Sequence, residues 1–137
     1  MEPITLPGKL RSIPQVIEYA LEAGDRAKLG KRAQNRLRLA VEEFATNIIT
    51  HGYQEAGLAG DIVIGADMDE KVLRITLEDT GEPFDPRQQP PPPDLDRPLD
   101  ERSIGGMGIY LALQNVDEFD YEYTDGCNRN YIFIHRP

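Results

Sequence analysis

Apolar residues recur every three or four positions as far as Thr50 and every second position from Asp61 onward, and this switch of period constrains the fold of the 137-residue chain most. A helical part must be followed by a strand part, and each must bury its apolar face on the other. Ile4 and Leu6 read as a short extended start, and Ser12 with Pro14 in the first turn marks the beginning of a helix. Ile13, Ile17, Ala20 and Leu21 are its expected buried face and Gly24 its expected stop. A second helix is predicted from Lys31 to Thr50, where Leu37, Val41, Phe44 and Ile48 follow at spacings of four, three and four and Gly52 ends the run.

Ile62, Ile64, Ala66 and Met68 then alternate, and after the turn Asp69-Glu70-Lys71 so do Leu73, Ile75 and Leu77, which predicts a β-hairpin. A second hairpin is read from Phe119, Tyr121 and Tyr123, the turn Asp125-Gly126, and Tyr131, Phe133 and His135. Between them residues 82–104 carry no period, since seven of the eleven prolines lie from Pro83 to Pro98. Such a loop is uncommon in a compact unit and often covers a binding site. Gly105-Gly106-Met107-Gly108 leads into a short helix predicted from Ile109, Leu111, Ala112, Leu113 and Val116. This order lacks βαβ alternation. It predicts an α+β fold, an antiparallel or mixed sheet with helices on one face, in one domain over residues 1–137.

Lys and Arg number 15 against 24 Asp and Glu, a net charge of −9 that repels DNA, RNA and anionic lipid and argues against nucleic-acid or membrane partners. Cys127 is the only cysteine, so neither an intrachain disulfide nor a cysteine zinc cage can form. The first residues carry no basic, apolar leader, and no run of about 18 apolar residues occurs. The expected location is the cytoplasm.

Three constellations carry polar chemistry. Glu43, Asn47 and His51 follow at i, i+4 and i+8 and form one stripe on the flank of the second helix, which is either a solvated flank or the wall of a cleft with an apolar floor. Glu78-Asp79-Thr80-Gly81-Glu82-Pro83-Phe84-Asp85-Pro86 ends an apolar strand. There Asp79 can accept from an N–H group, Gly81 permits the positive φ or close backbone approach that a ligand would require and Phe84 offers an apolar wall, although the same residues suit an Asx turn. Gly105, Gly106 and Gly108 open a helix whose free N–H groups favour an anion such as phosphate, with Arg102 just upstream, or else they form a hinge. Ser12 and Ser103 are the only serines and neither sits in Gly-x-Ser-x-Gly; His-Glu-x-x-His and His-Arg-Asp are missing too. Hydrolase, zincin and eukaryotic-type kinase chemistries are thereby set aside.

Taken together, Glu43-Phe44-Ala45-Thr46-Asn47-Ile48-Ile49-Thr50-His51-Gly52-Tyr53, then Asp79 to Pro86, then Gly105-Gly106-Met107-Gly108-Ile109-Tyr110-Leu111 closely resemble three boxes of the anti-sigma factor serine/threonine kinases, within the GHKL ATPases. The resemblance implies a two-layer α/β sandwich of the Bergerat type with a mixed, mostly antiparallel sheet, binding ATP and Mg²⁺ beneath a lid at about residues 86–108. Asn47 resembles the amide that holds Mg²⁺ against the phosphates, and Asp79 the carboxylate that accepts from the adenine amino group. Gly81 resembles the glycine beside that carboxylate, and Phe84 is the candidate apolar wall of the nucleotide site. Glu43 matches the proposed general base, while Gly105, Gly106 and Gly108 match the glycines near the phosphates. His51, Arg102 and Ile109 stand at motif positions near the nucleotide. Many GHKL relatives carry Gly-Thr in the last hairpin, whereas here Gly126 is followed by Cys127 and Asn128.

The resemblance further implies phosphorylation of a serine on a STAS-domain anti-sigma antagonist, with sequestration of a sigma factor and a part in transcription regulation; it leaves homodimerisation open. A module that uses ATP only to set its affinity for a partner is the alternative. Glu43 separates the two, since a pure binder needs no base.

Overall fold

The computed structural model describes residues 1–88 and 107–137. The chain runs β1 (Ile4–Pro7), α1 (Ile13–Arg26), α2 (Lys31–Asn47), β2 (Asp61–Met68), β3 (Val72–Asp79), α3 (Met107–Gln114), β4 (Glu118–Thr124) and β5 (Cys127–His135). Strand order is β1-β2-β3-β5-β4, and every pairing is antiparallel. The α+β expectation holds, with no parallel pair among the described strands. Ile62, Ile64, Leu73, Ile75, Leu77, Ile132 and Ile134 form the buried face of the sheet, and the helices cover it with Val16, Ala20, Leu37, Val41 and Phe44. Each such side chain contributes about 1.5–3 kcal/mol, so a one-residue slip of register would expose a whole row.

Several local readings change. On β5 the inward row is Asn128, Asn130, Ile132 and Ile134, not Tyr131, Phe133 and His135. Tyr131 lies on the outer face with the Arg74 guanidinium 5.4 Å from its ring centre. The buried face of α1 is Val16, Tyr19, Ala20 and Ala23, with Ile13 and Ile17 only half-buried, and Met68 is exposed. Ser12 donates its hydroxyl to Pro7 O at 2.8 Å and does not cap α1. Gly24 lies inside α1 because a Cβ there would stand 2.6 Å from Gln34 Cδ: it is a close-packing position against α2, and the chain turns later, at Lys28 with φ 63°.

One further change positions the site. Past Asn47 the helix widens into a π-helical segment, Ile48–Gln54, that passes through Gly52 without stopping. Backbone N–H groups of Glu55 and Leu58 reach five residues back, to Thr50 and Tyr53. Tyr53 at its end is a buried post whose hydroxyl donates to Asp61 O at 2.6 Å and accepts from Thr80 N–H at 2.9 Å. It ties the π segment to the end of β3.

Candidate functional site

Of the four buried polar or charged residues among the described ones, Ser12, Asp79, Asn128 and Asn130, the last three line a single cleft. Buried polar groups are costly unless paired, so three in one place mark a site by physics alone. The helix side of the cleft is Phe44, Asn47, Ile48 and Gly52; the opposite side is Glu82, Phe84 and Pro86 from the chain after β3. Its free interior is ≈ 10 Å³, the room of about one water, so a planar base enters only if the Phe84 side moves outward. A roomier groove of ≈ 240 Å³ on the outer sheet face, beside Met1, Val63 and Thr76, has no buried polar group and carries no comparable chemistry.

Asp79 is the last residue of β3, opposite Asn128 on β5. Its Oδ1 accepts from Gly81 N–H at 2.9 Å and from Asn128 Nδ2 at 3.0 Å. Oδ2 receives no hydrogen bond from the described residues. Burial raises the Asp79 pKa above the usual carboxylate range, opposed by those two donors. Asn128 is the hub of the cleft floor. Its Nδ2 also reaches Gly81 O at 3.2 Å and Glu82 O at 3.1 Å, while its Oδ1 accepts from Phe84 N–H at 3.2 Å and from the Tyr121 hydroxyl. Asn130 Oδ1 is buried with no partner among the described residues. Such an acceptor costs about 1–3 kcal/mol until something donates to it.

Gly81 does not take a positive φ, and its close approach is to the chain's own backbone: a Cβ there would lie 2.6 Å from Gly52 O, which cannot step aside. Gly81→Ala must force the π segment and the β3 end apart, with an expected loss of about 1–3 kcal/mol read as a lower thermal midpoint. An unchanged midpoint would contradict this packing.

Asn47 and Phe84 line the cleft. His51 does not. In the wider turn the residue beneath Asn47 is five positions on, Gly52, and His51 turns outward, exposed and paired through Nδ1 with Glu55. Ile109 of α3 is buried in the hydrophobic core and not in the cleft. Gly108 packs on Glu43, where an added Cβ would overlap the carboxylate oxygen Oε2. Burial, with Glu42 nearby, raises the Glu43 pKa. Arg102, Gly105, Gly106 and the lid between residues 89 and 106 lie outside the described residues. Tyr53, Tyr121, Asn128 and Asn130 are the residues that sequence reasoning missed. Two asparagines two apart in a strand were the available signal, because strands disfavour Asn unless it is used.

Residues 6–132 match the family of histidine kinase-like ATPase domains. The chain belongs to that family. Among curated proteins it is 30% identical over 93 residues to the serine-protein kinase RsbW of Bacillus cereus (strain AH820) and of Bacillus anthracis, which covers 66% of this chain and 57% of each relative. The RsbW of Bacillus thuringiensis (strain Al Hakam) is 29% identical over the same length. The chain thus spans 57% of the length of the curated relatives it matches. Among solved structures, the RsbU and RsbW domains of Rv1364c from Mycobacterium tuberculosis superpose with a TM-score of 0.65 at 18% identity, covering 100% of this chain and 34% of that one. The histidine kinase domain of the Erythrobacter litoralis EL346 blue-light activated kinase gives 0.52 at 20% identity, covering 89% and 59%. Both show the histidine kinase-like ATPase fold. No described helix is long and apolar enough to cross a membrane.

Proposed function

We propose that this histidine kinase-like ATPase domain binds ATP with Mg²⁺ in the Asp79 cleft and acts as a serine kinase and switch on a partner protein, of the anti-sigma type. The observation that carries the reading is Asp79: one oxygen is held by Gly81 and Asn128, and the other has no donor among the described residues in the cleft that Asp79 lines. A free carboxylate oxygen beside apolar walls suits the amino group of an adenine ring. Phe84 and Ile48 would sandwich the ring. Among the described residues no cluster of three or more His, Cys, Asp or Glu could cage a metal. As the family resemblance implies, an Mg²⁺ ion would rest on the Asn47 amide and on phosphate oxygens. Mg-ATP supplies the transferable phosphoryl group; the chain orients it and takes the proton.

Glu43 would take that proton from a serine hydroxyl of the partner. Its raised pKa makes it a better acceptor near neutral pH than an ordinary carboxylate. The partner proposed is a STAS-domain anti-sigma antagonist, with a sigma factor as the protein held between cycles. The second reading, an ATP-dependent binding switch without transfer, is favoured by one observation: Glu43 packs on Gly108 and does not itself line the cleft. Incubation of the purified protein with labelled ATP, Mg²⁺ and a candidate STAS partner tests both. Label on a partner serine supports the kinase, whereas tight ATP-dependent complex formation without label supports the switch. Wild-type protein that binds no nucleotide in calorimetry overturns the two together.

A further inference from the structure

Asn130 is 3% exposed, it lines the same cleft as Asp79, and no described group donates to its Oδ1. It lies two residues beyond Asn128 on the inward row of β5, opposite Leu77, whereas Asn128 stands opposite Asp79. A step of two along a strand is about 7 Å between Cα atoms, with both side chains on one face. Asn128 is saturated: its amide nitrogen serves Asp79, Gly81 and Glu82, and its oxygen serves Phe84 and Tyr121. Asn130 therefore adds a second, neutral acceptor to a cleft that already offers one carboxylate oxygen.

Two separate acceptors in a narrow cleft match a group with two diverging donors. An exocyclic amino group on a flat ring is such a group, since its two N–H bonds reach oxygens about 5 Å apart at ordinary hydrogen-bond lengths. We infer that Asn130 Oδ1 accepts the second hydrogen of the 6-amino group of the bound purine while Asp79 accepts the first, so that Asn130 sets the preference for an unsubstituted amino group. The inference rests on the ATP-site reading above. The competing role for Asn130 is to hold a lone buried water, for which the cleft has room.

The assignment predicts a coupling between one side chain and one hydrogen of the ligand. Calorimetric titration of wild type and Asn130→Leu with ADP and with N6-methyl-ADP, each with Mg²⁺, reads it directly. Wild type should prefer ADP, and Asn130→Leu should bind ADP about 3- to 30-fold more weakly. The preference for ADP over its N6-methyl form should shrink by a similar factor, because the variant has no acceptor left to miss the lost hydrogen. Without nucleotide the variant should melt no lower than wild type, as it removes a buried unpaired acceptor.

Wild-type protein that binds both nucleotides equally overturns the inference, and so does an Asn130→Leu protein that keeps the wild-type ratio between them. The lone-water role corresponds to a changed melting temperature with an unchanged ratio. If circular dichroism shows Asn130→Leu unfolded, Asn130→Ala removes the same acceptor with less bulk and is read in the same way. Wild-type protein that binds no ADP at all fails the ATP-site reading itself, whereas ADP binding with an unmoved ratio fails only the role of Asn130.

Discussion

Glu43→Gln is expected to lower phosphorylation of the partner serine by about 10²–10⁴-fold while leaving nucleotide affinity unchanged. Glu43 stands one helical turn before Asn47 on α2, about 6 Å along the axis. If the phosphates gather at Asn47 as proposed, a hydroxyl that attacks them in line passes within reach of a carboxylate one turn away. Glutamine keeps the shape that packs on Gly108, so the fold and the cleft are untouched and only the proton acceptor is lost. The pH profile gives an independent reading. Because burial raises the Glu43 pKa, the wild-type rate should climb with pH through an acid limb above the ordinary carboxylate range, and Glu43→Gln should lose that limb. Transfer at the wild-type rate by Glu43→Gln would rule out the base assignment and leave the ATP-dependent switch as the better account.

The fold was readable because its two apolar periods are long and lie in separate stretches of the chain. Leu37, Val41, Phe44, Ile62, Ile64, Leu73, Ile75 and Leu77 are all buried, as their spacing requires. What escaped was decided by tertiary contacts. The phase of β5 is ambiguous in the sequence because the aromatic Tyr131 and Phe133 suit a strand as well as Ile132 and Ile134 do, and the inward row begins with the polar Asn128 and Asn130. Site chemistry displaced hydrophobic pattern at its polar end. The turn from α-helix to π-helix after Asn47 leaves no mark in a period of 3.6, and it exchanged His51 for Gly52 at the cleft. Asp79 and Gly81 were legible as a strand-ending turn. Their dependence on Asn128, 49 residues away, is a pairing between strands that local spacing cannot show.

Asp79→Asn should move binding and stability in opposite directions. Oδ1 already accepts from Gly81 N–H and Asn128 Nδ2, so an asparagine in this place keeps its oxygen there and turns its NH₂ toward the ligand, donor against donor. Loss of a buried acceptor costs about 1–3 kcal/mol, and the opposed donors add to it, so ADP affinity should fall by about 10- to 100-fold or more. The free protein should gain. The folded-state pKa of Asp79 is raised by burial, so above the unfolded value the folded state holds the proton more tightly than the unfolded state does. Its contribution to stability is therefore lost as pH rises from the ordinary carboxylate range through the raised value, above which the cost of the buried charge is fully present. Asparagine has no such charge, so Asp79→Asn without nucleotide should melt at or above the wild-type temperature at pH 7, and any advantage should disappear at acid pH where wild-type Asp79 is protonated. Thermal melts across pH, paired with ADP titrations, check both halves. Wild-type ADP affinity in Asp79→Asn would remove the carboxylate from base recognition, and a variant that melts lower at pH 7 would show that the cleft stabilises the ionised form more than burial opposes it.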